Sequence, residues 1–176
     1  MRVHHLNCGT HRPLGGAFYD GTSRGPFADI CTHCLLLETG DGLVLVDTGY
    51  GLQDVRTPHP RLPHIWRGLL NIRLREQDTA IRQIEALGLD PREVRHIVLT
   101  HLDFDHAGGV EDFPHARVHV LAAERRAAMR VRKGFVARQR YRSQQWDEVG
   151  DWRVYDPGGE AWFGFEAVRD LDGLPP

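Results

Sequence analysis

Between Thr100 and Gly109 the chain reads THLDFDHAGG. His101, Asp103, Asp105 and His106 supply two imidazoles and two carboxylates within six positions. Imidazole nitrogen combined with carboxylate oxygen suits Zn²⁺, Fe²⁺ or Mn²⁺. If the segment is a loop leaving a strand, the alternate residues His101, Asp103 and Asp105 converge on one side while His106 turns inward. Gly108 and Gly109 then let the backbone swing sharply away. The plainer alternative is a polar loop in which Asp105 caps a helix.

The elements that must position this loop are legible on both sides of it. VRHIVLT at 94–100 is a strand leading straight into it, and ARVHVLA at 116–122 is another. Upstream, CTHCLLLET and LVLVDTG flank Gly40-Asp41-Gly42, a β-hairpin with strands near 31–38 and 43–47. The second of these is apolar on both faces, which places it centrally in a sheet. Residues 2–7 form a first strand, and 9–29 a long Gly- and Pro-bearing loop in which Phe18 and Tyr19 could line an acyl pocket. Residues 51–77, with Pro58, Pro60 and Pro63, read as irregular. Asp78 is the expected N-cap of a helix with Ile81, Ile84 and Leu87 as its apolar stripe, ending at Gly88. Asp90-Pro91-Arg92-Glu93 opens a short turn. Ala122 to Arg132 is helical, and VRDLDG near 168–173 begins a last strand. Interleaved strands and helices define an α/β class with some antiparallel pairing.

The 100–109 segment resembles the H-x-H-x-D-H metal-binding signature of the metallo-β-lactamase fold superfamily, followed by the typical Ala-Gly-Gly. LVLVDTG is similar to that superfamily's first motif, which puts Asp47 beneath the metals as an orienting residue. The hairpin, the motif spacing and HIVLTHLDFDHAGG look most like lactonase-type hydrolases, acyl-homoserine lactonases among them. The resemblance implies an αβ/βα sandwich in one domain over 1–176. It implies two divalent metals, zinc foremost, with His101 and Asp103 on the first and Asp105 and His106 on the second. The implied reaction is attack of a metal-activated hydroxide on a lactone or ester carbonyl. Asp105 is the catalytic candidate, assisting proton transfer to the leaving alkoxide.

Two departures shape that expectation. Asp103 stands where the signature has a second His, and its harder oxygen donors tilt the site toward iron or manganese. The flavodiiron branch carries a carboxylate there too, so a non-haem di-iron redox site is an alternative. After His119 the chain has no further His, whereas family members draw later ligands from a second half. The expectation is therefore an N-terminal portion with a half-built site. The corresponding alternative is a non-catalytic fragment that associates as a homodimer through open sheet edges.

Bulk properties narrow the classes further. With 176 residues, 41% hydrophobic and 26% charged, the composition is that of an ordinary globular chain. A formal net charge of −2 gives no global reason to expect nucleic acid or an anionic membrane as partner. There is no apolar run of membrane-spanning length and no secretory signal, so the expected compartment is the cytoplasm. Arg125, Arg126, Arg130, Arg132, Lys133, Arg138, Arg140 and Arg142 fall within 125–146 without an acidic residue. A metal-dependent nuclease is one reading of them. A solvated helix face or a rim around the substrate mouth is the plainer one. Cys31 and Cys34 face opposite sides of a strand and are expected to be buried thiols without a metal or disulfide. His4, His5, His33, His96, His115 and His119 read as packing or surface residues.

Overall fold

The computed structural model describes residues 1–130 and 139–174. Seven strands form one mixed sheet: β1 (Arg2–His11), β2 (Ile30–Thr39), β3 (Gly42–Val46), β4 (Ile72–Arg73), β5 (Val94–Val98), β6 (Arg117–Leu121) and β7 (Trp152–Tyr155). Their spatial order is β4-β1-β2-β3-β5-β6-β7. The first part, β4 to β3, is antiparallel, and β3, β5, β6 and β7 are parallel. A separate two-stranded ribbon joins β8 (Glu160–Trp162) to β9 (Phe165–Val168). The helices are short: α1 (Ala17–Asp20), α2 (Leu52–Arg56), α3 (Pro58–Arg61, irregular at His59), α4 (His64–Leu69), α5 (Ala80–Ala86) and α6 (Ala122–Arg130).

The hairpin forms where its apolar runs and its Gly40-Asp41-Gly42 turn require. Leu36 and Leu45 pair directly, and both are fully buried. With Leu6, Ile97 and Val118 they form the centre of the core, which α5 closes with Ala80 and Ile84. The helix starts one residue later than its sequence suggests. Glu76–Asp78 forms a 3-10 turn, and Thr79, whose hydroxyl donates to the Glu76 carbonyl (2.7 Å), takes the cap position. Its end is as read, with Gly88 in the left-handed region at φ +77°.

Several other expectations need correction. β1 runs on to His11 instead of stopping at residue 7, because β2 and β4 both give it backbone partners there. The irregular 51–77 stretch contains α2, α3, α4 and β4. β7 was not anticipated, and the last strand is β9, ending at Val168 where a strand was expected to begin. α6 is described to Arg130; Arg132, Lys133 and Arg138 of the basic cluster lie outside the described residues. Cys34 is buried as expected, whereas Cys31 is exposed on the opposite face of β2. Among the described residues no helix is long and apolar enough to cross a membrane.

The arrangement that matters for function is the parallel pair β3–β5. Val46 sits opposite Val98, so both strands run out at the same end of the sheet. The chain leaving β3 carries Asp47, and the chain leaving β5 carries 100–109. In α/β sheets this carboxyl-terminal edge is where binding sites are built.

Candidate metal centre

The two loops are sewn together by backbone. Asp47 N–H donates to the Val98 carbonyl (2.9 Å) and Thr48 N–H to the His106 carbonyl (2.9 Å). The Thr48 hydroxyl also donates to that carbonyl (3.0 Å), and it accepts from Gly109 N–H (3.0 Å). Asp47 adopts φ +58°, a left-handed conformation that Asp tolerates better than most side chains. Gly49, Gly51, Gly108 and Gly109 let the backbones touch. A Cβ at 108 would collide with the Asp54 carboxylate, and one at 51 with the Gly108 carbonyl.

Asp47 is nearly fully buried, and its carboxylate collects three donors. Oδ1 accepts from Thr100 N–H (2.8 Å). Oδ2 accepts from the Thr100 hydroxyl (2.6 Å) and from His106 Nδ1 (2.9 Å). With its hydroxyl proton committed to Asp47, Thr100 Oγ1 can only accept from His101 Nδ1, 2.9 Å away. This network sets both tautomers: each imidazole donates through Nδ1 and leaves Nε2 as a free lone pair. His101 Nε2 is then 3.9 Å from Asp103 Oδ2, and His106 Nε2 is 3.8 Å from Asp105 Oδ2. These separations are too long for hydrogen bonds. They are within about 4.2 Å, the reach of two donors on one ion at about 2.1 Å each.

The loop thus holds two imidazole–carboxylate pairs, His101 with Asp103 and His106 with Asp105, their ring centroids 4.0 Å apart. All four side chains are between 21% and 33% exposed, open enough for an ion to enter. Asp47, His101 and His106 also lie close enough to group around one ion. Its oxygens already accept three hydrogen bonds, one directly from His106 and two from Thr100, which in turn accepts from His101. The donor chemistry and separations therefore fit divalent metal.

The electrostatics are consistent with carboxylates on every side. Burial lowers the His106 pKa, but the Asp47 hydrogen bond and the charges of Asp105, Asp47 and Asp103 outweigh it and raise the value. His11 is depressed by burial, which the Asp105 charge partly opposes. Tyr50 is raised by burial and by the Asp105 and Asp54 charges. His11 Nε2 and Tyr50 Oη are hydrogen bonded at 2.9 Å.

Sequence reasoning missed three neighbours of the centre. His11 was assigned to a loop, although the alternation HLNCGTH could have carried β1 as far as this residue. Tyr50 directly follows the LVDTG motif. Arg140 grips Asp103 with Nε 3.0 Å from each carboxylate oxygen and Nη2 2.8 Å from Oδ1. It is anchored by Phe104 N–H donating to its own carbonyl (3.0 Å). Only its membership of the basic cluster marked it beforehand.

Over residues 32–173 the chain matches the family model described as the Metallo-beta-lactamase superfamily, and it belongs to that superfamily. It is 45% identical over 174 residues to a probable metallo-hydrolase of Mycobacterium tuberculosis, covering 99% of this chain and 51% of the relative. It is 33% identical over 104 residues to an N-acyl homoserine lactonase of a Bacillus species, covering 59% of this chain and 42% of that one. The chain thus spans about half the length of the curated relatives it matches. Among solved structures, an N-acyl homoserine lactone hydrolase with N-hexanoyl-L-homoserine at its catalytic metal centre aligns with TM-score 0.68 and 23% identity. That alignment covers 92% of this chain and 62% of the other. A dizinc quorum-quenching lactonase aligns with TM-score 0.58 and 16% identity over 88% of this chain and 57% of its own. These likenesses establish the fold, a mixed α/β sheet of the metallo-β-lactamase type.

Proposed function

We propose that this chain carries the metal-ligating loop of a metallo-hydrolase acting on a small-molecule lactone or ester, and that 1–176 forms one domain. The observation that carries the reading is the tautomer-fixed pair His101 and His106, each presenting Nε2 beside a carboxylate. His101 and Asp103 would hold one divalent ion, and Asp105 and His106 a second. Asp103, already held by Arg140, would serve an ion as well, since each carboxylate oxygen offers more than one lone pair. Bound divalent metal supplies Lewis acidity toward a carbonyl oxygen and acidifies water at neutral pH. The chain's own residues do the rest. Asp47 and Thr100 hold the imidazoles in the ligating tautomer. Asp105, a member of the loop whose charge is felt by His11 and Tyr50, would carry a proton toward a leaving alkoxide. Relatives named as lactonases support the substrate class; zinc is the first expectation for the metal, with iron or manganese favoured by the extra carboxylate.

Elemental analysis of the purified chain is the direct test. Between one and two equivalents of a divalent metal, falling below about a tenth of that in His101→Ala/His106→Ala, is the expected result. Metal content unchanged by that double substitution rejects the site. Turnover of an N-acyl homoserine lactone by the loaded protein then tests the substrate class separately.

A further inference from the structure

Most arginines in this chain are tied to carboxylates. Arg56 and Arg82 share Glu76, Arg61 reaches Asp54 and Arg92 reaches Asp90. One cleft, beside β1 and β4, departs from that pattern. Arg12, Arg67, Arg73 and Arg75 line it with Thr10, Asp29 and the apolar Ile72 and Leu74, around a volume of about 770 Å³. Arg12 is paired with Asp29 and Arg75 with Asp78, each at 2.7 Å. Arg67 and Arg73 have no side-chain partner among the described residues.

The convergence follows from register. Thr10 pairs with Arg73 and His11 with Ile72. Side chains alternate across a strand, so Thr10 and Arg73 share one face of the ribbon while His11 and Ile72 share the other. On that other face His11 is bonded to Tyr50, and Ile72 packs against the Tyr50, Leu62 and Phe104 cluster. The ribbon therefore turns His11 toward the carboxylate-rich centre and Arg73 away from it, with Ile72 at the boundary, touching both the Tyr50 cluster and the cleft. Arg67 joins from α4, whose exit is clamped to β1. Arg12 N–H donates to the Leu70 carbonyl (2.9 Å), and Asn71 Nδ2 donates to the Arg12 carbonyl (3.1 Å).

Four cations and one anion thus line a single concavity in a chain whose net charge is −2. Like charges held together raise the local potential, and an incoming anion relieves it. Guanidinium forks match phosphate oxygens in pairs, and two uncompensated forks exceed what a single carboxylate would use. The groove is open to solvent and wider than a lone phosphate needs.

We propose that this cleft binds a small phosphate-bearing organic molecule, with Arg67 and Arg73 as its phosphate contacts. The site is separate from the metal centre, and its test reads binding, not turnover. Isothermal titration of the whole chain at low ionic strength with inorganic diphosphate, and in parallel with adenosine 5′-diphosphate, measures it. Saturable binding is expected for both. It should weaken about tenfold or more in Arg67→Ala/Arg73→Ala, and weaken further with added salt. An unchanged thermal midpoint in that variant shows that the fold survives, and partial recovery in Arg67→Lys/Arg73→Lys ties the loss to charge. Tighter binding of the nucleotide than of diphosphate supports the organic ligand. Equal affinity for the two overturns that part in favour of free phosphate. No saturable binding by the native chain, or equal binding by the double-alanine variant, overturns the proposal altogether, the latter because the anion would then sit elsewhere.

Discussion

His101 and His106 at the end of β5, and His96 and His119 within β5 and β6, are both close imidazole pairs, with ring centroids 4.0 Å and 5.1 Å apart. In the second pair the nitrogens face each other: His96 Nδ1 meets His119 Nε2 at 2.8 Å. His119 Nδ1 meets the Tyr155 hydroxyl at 2.8 Å, and Asp172 N–H donates to that hydroxyl (3.0 Å). The chain of hydrogen bonds consumes both His119 nitrogens. Burial and the neighbouring His96 bring the His119 pKa down to about 4. The first pair directs its hydrogen bonds backward, to Asp47 and Thr100, and keeps its outer nitrogens free among carboxylates. The difference teaches that two nearby histidines mark a site only when their second nitrogens are held from behind. In the buried pair ring meets ring, and both His119 nitrogens are taken.

The sharpest break of this comparison is to remove the open pair. His101→Ala/His106→Ala should lower divalent-metal affinity at least about a hundredfold, read by competition with a chromogenic chelator, while His96→Ala leaves that affinity unchanged. Asp47→Ala removes the support without touching an Nε2. It should cost about 10- to 100-fold in metal affinity by the same measurement.

The closed pair should register in stability instead. His119→Ala deletes a buried ring, strips His96 Nδ1 of its partner and leaves the Tyr155 hydroxyl with Asp172 N–H alone, for an expected loss of about 2–4 kcal/mol in urea unfolding of the metal-free chain. Protonation of His119 in acid should have a smaller effect of the same kind. His119 is harder to protonate folded than unfolded, so its contribution is complete above about pH 6.5 and drains away as pH falls toward 4. Between pH 7.5 and 5 that amounts to about 1–2 kcal/mol, opposed by the raised Glu111 and Asp112, and the difference between native and His119→Gln stability curves should isolate it. Arg140→Gln should do least, because its pair with Asp103 is partly solvated. A change in stability below about 1 kcal/mol, with metal affinity altered a few-fold, is expected.

Reading the sequence worked best where apolar pattern and turn chemistry agreed. The hairpin, β5, β6 and the stop at Gly88 were all legible because each is fixed within its own segment. The clustering of the candidate ligand loop was legible too, since its His and Asp side chains are crowded into one decapeptide. What could not be read was supplied across the sheet. β1 lengthens because β2 and β4 pair with it, and Thr100 matters only once β3 and β5 end together. Arg140 reaches Asp103 from 37 positions away in the chain. His96 and His119 were rightly read as packing, but their link to Tyr155 depends on β7, which carried no clear strand signal.

The contact between the glycines of 49–51 and those of 108–109 has a consequence for transplantation. The candidate liganding decapeptide does not carry its own support. Its backbone rests on the neighbouring loop at points where no side chain fits. Grafting THLDFDHAGG alone onto another sheet would move the donors and leave behind the surface that aims them. The portable unit is the pair of segments, 47–51 with 100–109, borne on two parallel strands that finish level with each other.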